Sequence, residues 1–175
     1  MLDVPDEGLS PGGRGDGDRR VERSTLVPSS SRGSARLSRV AGYSGTPLAA
    51  KLGIRPGSTV MITGSPPGFS LELPPDVVVR RRAGAADVIV AFHTREKGLD
   101  GSLTRLGQLI FPNGGLWIAW PKKSSGLATD VTDHVVRDRA LPLGLVDNKV
   151  CAIDETWTGL RLVWRTERRT SRERS

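Results

Sequence analysis

The chain has 175 residues, of which 37% are hydrophobic and four are Trp, enough for one packed core and too few for a second full domain. Its net charge is +7, yet between residues 41 and 164 there are 14 Lys and Arg against 11 Asp and Glu. Such a near balance is typical of a soluble domain surface. An Arg-rich composition also follows from a G+C-rich coding sequence, so the positive charge is no specific sign of nucleic-acid binding. We therefore expect that nucleic acid is not the partner.

The sequence also disfavours a membrane protein and an internal disulfide. No run of 18 apolar residues occurs, and the N-terminus lacks the apolar segment of a signal peptide, so we expect a cytoplasmic protein without membrane contact. The single Cys151 excludes an internal disulfide. It lies in an apolar run, which favours a buried, unreactive thiol.

Residues 1–40 hold 6 Gly, 7 Ser and 3 Pro among scattered opposing charges, with no apolar periodicity. Such a segment buries too little apolar surface to offset the entropy of ordering, so it is predicted to be disordered. A single α/β domain is predicted over residues 41–167, and residues 168–175 are predicted to form a disordered basic tail.

The first predicted elements are a short helix and a strand. Thr46 is suited to cap the helix, Pro47 to begin it and Gly53 to end it. The apolar run 59–63 predicts the first strand. A glycine- and proline-rich loop over residues 64–68 then ends that strand.

Three elements are predicted between residues 69 and 92. Residues 69–73 are compatible with a brief helix, and the run Val77–Val79 predicts a second strand that leads into Arg80, Arg81 and Arg82. Residues 87–92 form an apolar run that predicts a third strand.

Apolar spacing predicts the helices of the second half. A stripe with steps of four, three and four predicts one amphipathic helix; it is made of Leu99, Leu103, Leu106 and Ile110. The run 116–120 predicts the fourth strand. A second helix is predicted to begin at a cap formed by Thr129 or Asp130 and to end near Ala140.

The chain ends in two strand-like runs, 146–153 and 160–164. Their connection of six residues is too short for a crossover helix, so the two runs must pair as an antiparallel hairpin. The whole pattern predicts a three-layer, Rossmann-like α/β fold with a mostly parallel sheet that ends in this hairpin.

The loop after the fourth strand is the best candidate site. Loops at the carboxyl ends of parallel strands are where ligands bind in such folds, and this loop offers cations and hydroxyls: Lys122, Lys123, Ser124 and Ser125. Trp120 at the strand end and His93 at the end of the third strand are expected to line the same crevice. The predicted ligand is an anionic small molecule or partner.

A cofactor site is also considered at the loop after the first strand, with Gly64, Ser65 and Gly68 as its residues and S-adenosylmethionine or a nucleotide as the cofactor. Pro66 and Pro67 remove two backbone donors from this loop. No acid follows the second strand to hold a ribose, since three arginines stand there. No hydrolase or metal motif occurs, so we predict no metal site. The oligomeric state is not encoded.

Five segments carry a family resemblance: Ala41-Gly-Tyr-Ser-Gly-Thr-Pro-Leu-Ala49, Trp120-Pro-Lys-Lys-Ser124, Ala128-Thr-Asp130, Ala140-Leu-Pro-Leu-Gly-Leu-Val-Asp147 and Lys149-Val-Cys-Ala-Ile-Asp-Glu-Thr-Trp-Thr-Gly-Leu160. On these segments the chain resembles the bacterial family of domain of unknown function 3052, over about residues 41–167. The resemblance implies no established activity. Related chains begin near the first segment, which implies that translation starts near Val40.

The predicted strand arrangement also resembles a shortened class I methyltransferase, in which a parallel sheet likewise ends in an antiparallel hairpin. Because the expected cofactor motifs are missing, the leading hypothesis is a non-catalytic binding or regulatory module. The alternative is a divergent S-adenosylmethionine-dependent methyltransferase. A nucleic-acid-binding protein is the second alternative.

Overall fold

The computed structural model describes residues 45–171. The N-terminal segment 1–40, for which disorder is predicted, lies outside the described residues, as do positions 172–175 of the predicted basic tail. The sheet, the helices and the sites lie between residues 45 and 171.

Six strands form one sheet in the order β2-β1-β3-β4-β6-β5. Their bounds are β1 Thr59–Thr63, β2 Val78–Val79, β3 Val88–Phe92, β4 Gly115–Pro121, β5 Leu145–Ala152 and β6 Trp157–Trp164. The strands β2, β1, β3 and β4 are parallel, whereas β6 runs antiparallel to both β4 and β5. The predicted Rossmann-like fold, with a mostly parallel sheet ending in an antiparallel hairpin, is confirmed.

Four α-helices accompany the sheet within the described residues: α1 Leu48–Leu52, α2 Leu99–Leu109, α3 Asp133–Ala140 and α4 Thr166–Ser171. The predicted apolar stripe of α2 is fully buried against one sheet face, together with α3. Burying a large aliphatic side chain contributes about 1.5–3 kcal/mol, so this stripe alone fixes the helix on the sheet.

The opposite sheet face is covered by α1 and by a segment without helix, residues 65–77. The brief helix predicted over residues 69–73 is wrong. Phe69, Leu71 and Leu73 pack against the core while Ser70 and Glu72 between them are exposed. That alternation has a period of two, which an extended backbone satisfies and a helix cannot.

The predicted helix caps also need correction. The cap position of α1 is Pro47 and carries no side-chain hydrogen bond, so Thr46 lies one residue too early. In α3 the cap is Thr132, whose hydroxyl accepts a hydrogen bond from the Val135 N–H at 3.2 Å. Thr129 instead accepts from the Val131 N–H at 3.1 Å, and Asp130 accepts from the Glu96 N–H at 2.5 Å. Thr129 is therefore engaged in the turn before α3, and Asp130 is bonded to the loop before α2.

The chain remains helical beyond the predicted domain boundary at residue 167. Helix α4 follows β6, and the Arg169 Nε donates to the Trp164 carbonyl at 2.8 Å. The Arg165 N–H donates to the Gly144 carbonyl at 3.1 Å. These contacts tie the start of the predicted tail to the end of the sheet.

Candidate functional site

The carboxyl ends of β1, β3 and β4 meet at one edge of the sheet. The connection from β1 to β2 runs over one face, whereas α2, which connects β3 to β4, covers the other. The chain therefore reverses its direction of winding between β1 and β3. In open α/β sheets such a switch point leaves a crevice in which ligands bind.

The glycine-rich loop at this edge approaches β3 closely. Gly64 has φ +66°, and a Cβ atom built on it would lie 2.7 Å from the Phe92 carbonyl oxygen. Gly68 has φ +78° with open space around it. Because other residues rarely adopt positive φ and none could place a Cβ so near a carbonyl oxygen, position 64 requires glycine. Gly64, Ser65 and Gly68 are all exposed at the crevice edge.

Three aromatic rings pack together near the same carboxyl edge of the sheet. Phe92 packs edge-on against Phe69, with ring centroids 4.8 Å apart, and against Trp157 at 5.1 Å. Phe92 and Trp157 are buried, whereas Phe69 keeps part of its surface exposed. Phe69 therefore presents an apolar surface beside the exposed loop residues Gly64, Ser65 and Gly68, whereas Phe92 and Trp157 belong to the core.

His93 lies at the end of β3, as predicted. Its backbone N–H donates to the Ala119 carbonyl at 2.8 Å, which holds the residue against β4. Its side chain is half-buried, and burial lowers the pKa of the imidazole below its ordinary value of 6.5. Burial therefore favours the neutral form of the ring, which can donate and accept hydrogen bonds.

The lysine loop is tied to the hairpin between β5 and β6. The Lys122 Nζ donates to the Asp154 carbonyl at 2.6 Å, and its backbone N–H donates to the Thr156 carbonyl at 2.8 Å. The Ser125 N–H donates to the Lys122 carbonyl at 3.0 Å and closes a 3₁₀ turn over Lys123–Ser125, and its hydroxyl donates to the same carbonyl at 2.7 Å. Lys123 and Ser124 are exposed. Lys122 and Ser125 thus shape the loop, while Lys123 and Ser124 present polar groups to solvent.

Trp120 does not line the crevice as expected. It is only 8% exposed and packs in the core on the side of α2 and α3. Trp117 is buried on the opposite face and donates its indole N–H to the Leu52 carbonyl at 2.9 Å. The two rings lie on opposite faces of the sheet, because side chains alternate along a strand, and both belong to the core.

No acid stands at the carboxyl end of β2. Residues 80–82 are three exposed arginines, and Asp87 precedes β3 at the other edge of the sheet, where its carboxylate accepts the Thr59 N–H at 2.7 Å. The contact that commonly holds ribose hydroxyls in such folds is therefore absent from residues 80–86.

Polar residues also gather at the amino edge of the sheet, which the sequence did not predict. A cavity of about 410 Å³ lies between α1, the starts of β3 and β4, and the hairpin strands. Its cationic lining residues are Lys51, Arg55, Lys149 and Arg161. These residues come from separate elements and share no local motif, so only the pairing of the strands could have revealed them.

Two further classes of site find no residues in the described part of the chain. Between residues 45 and 171, no group of three or more His, Cys, Asp or Glu side chains could hold a metal ion. No helix over the same residues is long and apolar enough to cross a membrane. Cys151 is buried, and burial raises the pKa of its thiol above the ordinary value of 9.0.

The strand order and the switch point between β1 and β3 define a Rossmann-like α/β domain. No protein-family model matches the chain, and no curated protein sequence matches it. Among solved structures, it is similar to an S-adenosylmethionine-dependent methyltransferase from Aquifex aeolicus, at 14% identity over 66% of this chain and 86% of that chain, with a TM-score of 0.49.

Two other solved structures show the same likeness. The TehB-like S-adenosylmethionine-dependent methyltransferase from Corynebacterium glutamicum is 13% identical over 71% of this chain and 91% of that chain, with a TM-score of 0.46. The magnesium protoporphyrin IX methyltransferase from Synechocystis PCC 6803 is 11% identical over 51% of each chain, with a TM-score of 0.39. The match thus spans about half the length of the Synechocystis enzyme. At these identities the likeness concerns the fold alone.

Proposed function

We propose that this protein is a divergent methyltransferase that binds a methyl donor of the S-adenosylmethionine type between the carboxyl ends of β1 and β3. The observation that carries the proposal is the switch point itself, where the Gly64 loop approaches the Phe92 carbonyl so closely that only glycine fits. Gly64, Ser65 and Gly68 of this loop are exposed, so they are accessible to the donor.

The residues present fit such a donor at the loop and lack one contact to its ribose. Ser65 and Gly68 retain backbone N–H groups, and the partly exposed Phe69 ring offers an apolar surface for a base. No carboxylate follows β2 to accept the ribose hydroxyls. Because a hydrogen bond to a charged group contributes about 1.5–3 kcal/mol, we expect the donor to bind about 10- to 100-fold more weakly than in a site with that acid.

Calorimetric titration of the full chain with S-adenosylmethionine and S-adenosylhomocysteine tests the proposal. We expect weak, saturable binding of both compounds by the wild-type protein. In Gly64→Ala the new Cβ meets the Phe92 carbonyl and displaces the loop, so affinity should fall by about tenfold or more.

Gly57→Ala is the matched control for Gly64→Ala. Gly57 has φ +79°, so it carries a similar backbone strain, but open space surrounds its Cβ position and it precedes β1 at the far edge of the sheet. Its affinity for the donor should equal that of the wild type. If the folded wild-type protein binds neither compound, the methyl-transfer proposal is wrong.

A second candidate function is non-catalytic binding of an anionic small molecule at the lysine loop. The observation in its favour is the exposed pair Lys123 and Ser124 at the end of β4, together with three arginines where a ribose-binding acid is expected. Lys123→Gln tests it better than a change at Lys122, which would also break the bond to the Asp154 carbonyl. A thermal-shift panel of anionic metabolites should contain at least one compound whose response is lost in Lys123→Gln and kept in Arg105→Gln, which is exposed on α2.

A further inference from the structure

The cavity at the amino edge of the sheet is separate from the proposed donor site between the carboxyl ends of β1 and β3. It lies near the starts of β3 and β4, whereas the Gly64 loop and the lysine loop lie at their ends. Its volume of about 410 Å³ falls within the range of small-molecule sites. Four cationic side chains and one carboxylate, Asp87, line it, so its lining carries an excess of positive charge.

The pairing of three strands brings the key cations together. Arg161 on β6 lies opposite Trp117 on β4 and opposite Lys149 on β5. Directly opposed residues of antiparallel strands point to the same face, so Arg161 and Lys149 share the face on which Trp117 is buried. That face also carries α1, which closes the cavity from above.

Gly115 makes room for the Arg161 guanidinium. A Cβ atom built on Gly115 would lie 2.6 Å from the Arg161 Nε and 2.9 Å from its Nη2. Gly115 is two residues before Trp117, so its missing side chain leaves a gap on the same face. The guanidinium fills this gap beside the cavity.

The Arg161 guanidinium is poorly compensated by the protein. Its Nε is buried without a hydrogen-bond partner among the described residues, and its Nη1 is 3.5 Å from the Asn148 side-chain oxygen, at the limit of a hydrogen bond. The ion pairs between described residues do not include it. Burial, and then the nearby Arg169, lower its pKa. A charge desolvated without a counter-charge raises the free energy of the folded state.

The ammonium of Lys149 is held at the same cavity. Its Nζ donates to the Lys51 carbonyl at 2.8 Å, one of the carbonyls at the end of α1 that the helix itself leaves unbonded. The carboxylate of Asp87 is already engaged, because its Oδ2 accepts the Thr59 N–H at 2.7 Å. The cavity therefore presents fixed cations and one carboxylate that already accepts a backbone bond.

We infer that this cavity binds a small phosphate monoester, such as a sugar phosphate, with its phosphate held by Arg161 and Lys149. A phosphate supplies the counter-charge that the guanidinium lacks, and the guanidinium can bond two of its oxygens at once. The cavity is large enough for a sugar beside the phosphate, and α1 leaves it concave, which suits a small molecule better than a polynucleotide.

Calorimetric titration of the full chain with ribose 5-phosphate, inorganic phosphate and ribose tests this inference. We expect binding of ribose 5-phosphate, weaker binding of inorganic phosphate and none of uncharged ribose. Arg161→Gln and Lys149→Gln should each weaken ribose 5-phosphate binding by about tenfold or more, because each removes a charged donor. Arg105→Gln, an equal charge change on an exposed face of α2, should leave the affinity unchanged.

Two glycine variants test whether the position of the Arg161 guanidinium matters separately from its charge. Gly115→Ala keeps every charge but places a methyl group against the Arg161 guanidinium, so affinity should fall as in Arg161→Gln. Gly101→Ala on α2, where a Cβ meets nothing within 4 Å, should bind as the wild type does. Circular dichroism checks that each variant is folded. If Arg161→Gln does not fold, Lys149→Gln still tests the site, because it changes an exposed side chain.

Three results would overturn the inference. The first is the absence of binding by both phosphate compounds, and the second is wild-type affinity in Arg161→Gln and Lys149→Gln. The third is binding of a duplex oligonucleotide that depends on Arg161 and is not displaced by ribose 5-phosphate, which would assign the cavity to nucleic acid. Loss of methyl-donor binding in Gly64→Ala has no bearing on these results, so the two proposals fail independently.

Discussion

Arg161 and Gly115 show how single residues on neighbouring strands create a site. The guanidinium occupies a gap left by the missing side chain of Gly115, and no carboxylate among the described residues pairs with it. An apolar side chain of similar length would fill the same gap without the cost of desolvating a charge. Its charge therefore contributes to binding at the expense of stability, as is common for residues of functional sites.

Replacing this charge should accordingly stabilise the protein. We expect Arg161→Met to raise the free energy of unfolding by about 1 kcal/mol, because the desolvation cost of the buried guanidinium is removed. The same variant should lose its response to ribose 5-phosphate. Chemical denaturation measures the change, with Arg105→Met on the exposed face of α2 as control. A loss of stability by more than about 1 kcal/mol would show that Arg161 is a structural residue.

At the scale of elements, a segment whose apolar residues recur with the 3.6-residue period of a helix was easier to predict than a segment without that period. Helix α2 buries an uninterrupted apolar stripe, so its position was predictable. The crossover between β1 and β2 has no helix, because Phe69, Leu71 and Leu73 alternate with exposed residues over the sheet. A crossover built from extended chain leaves the glycine loop without a following helix N-terminus, one source of phosphate affinity in related architectures.

The correct cap of α3 can be tested directly. Thr132→Ala should lower the free energy of unfolding by about 1 kcal/mol, because the Val135 N–H loses its acceptor. Thr132→Ser keeps a hydroxyl at the cap and should retain most of the stability. Denaturation midpoints of the two variants provide the measurement. Equal losses in both would mean that the methyl group, not the cap bond, matters at this position.

At the scale of the whole molecule, the sheet separates two candidate sites. The Gly64 loop, His93 and the lysine loop lie at the carboxyl edge, and the basic cavity lies at the amino edge. Both sheet faces are buried, one beneath α2 and α3 and the other beneath α1 and residues 65–77. A ligand bound at one edge therefore does not touch the site at the other edge, so binding at each site can be measured separately.

The domain boundary is the prediction that belongs to this scale. We propose that residues 1–40 contribute nothing to the core, so the chain without them should unfold with the same midpoint and the same denaturant dependence as the full chain. The difference in free energy should be below about 0.5 kcal/mol. Urea denaturation followed by tryptophan fluorescence measures both quantities. A smaller denaturant dependence would show that the removed segment buries surface in the native protein.

Much of the fold was predictable because its causes are local in the chain. Apolar runs of strand length and the stripe of α2 depend on neighbouring residues. A short connection, predicted as six residues and four residues long in the structure, forces β5 and β6 into a hairpin. The carboxyl-edge position of His93 and Lys122 followed from the same order of elements. The cap of α3 was misplaced, because Thr129, Asp130 and Thr132 suit a cap equally well, and that of α1 because Pro47 takes the cap position without a side-chain bond.

The sequence by itself determined the class of fold, the order of its elements and the loops at the ends of its strands. Only the tertiary structure decided what the side chains of those loops contact: that Lys122 is bonded to the Asp154 carbonyl, that Trp120 is buried, and that Gly115 accommodates Arg161. Periodicity acts over a few residues, whereas strand register brings together residues 12 to 46 positions apart, such as Lys149 with Arg161 and Gly115 with Arg161. Those contacts depend on pairing across the sheet, which no local pattern specifies.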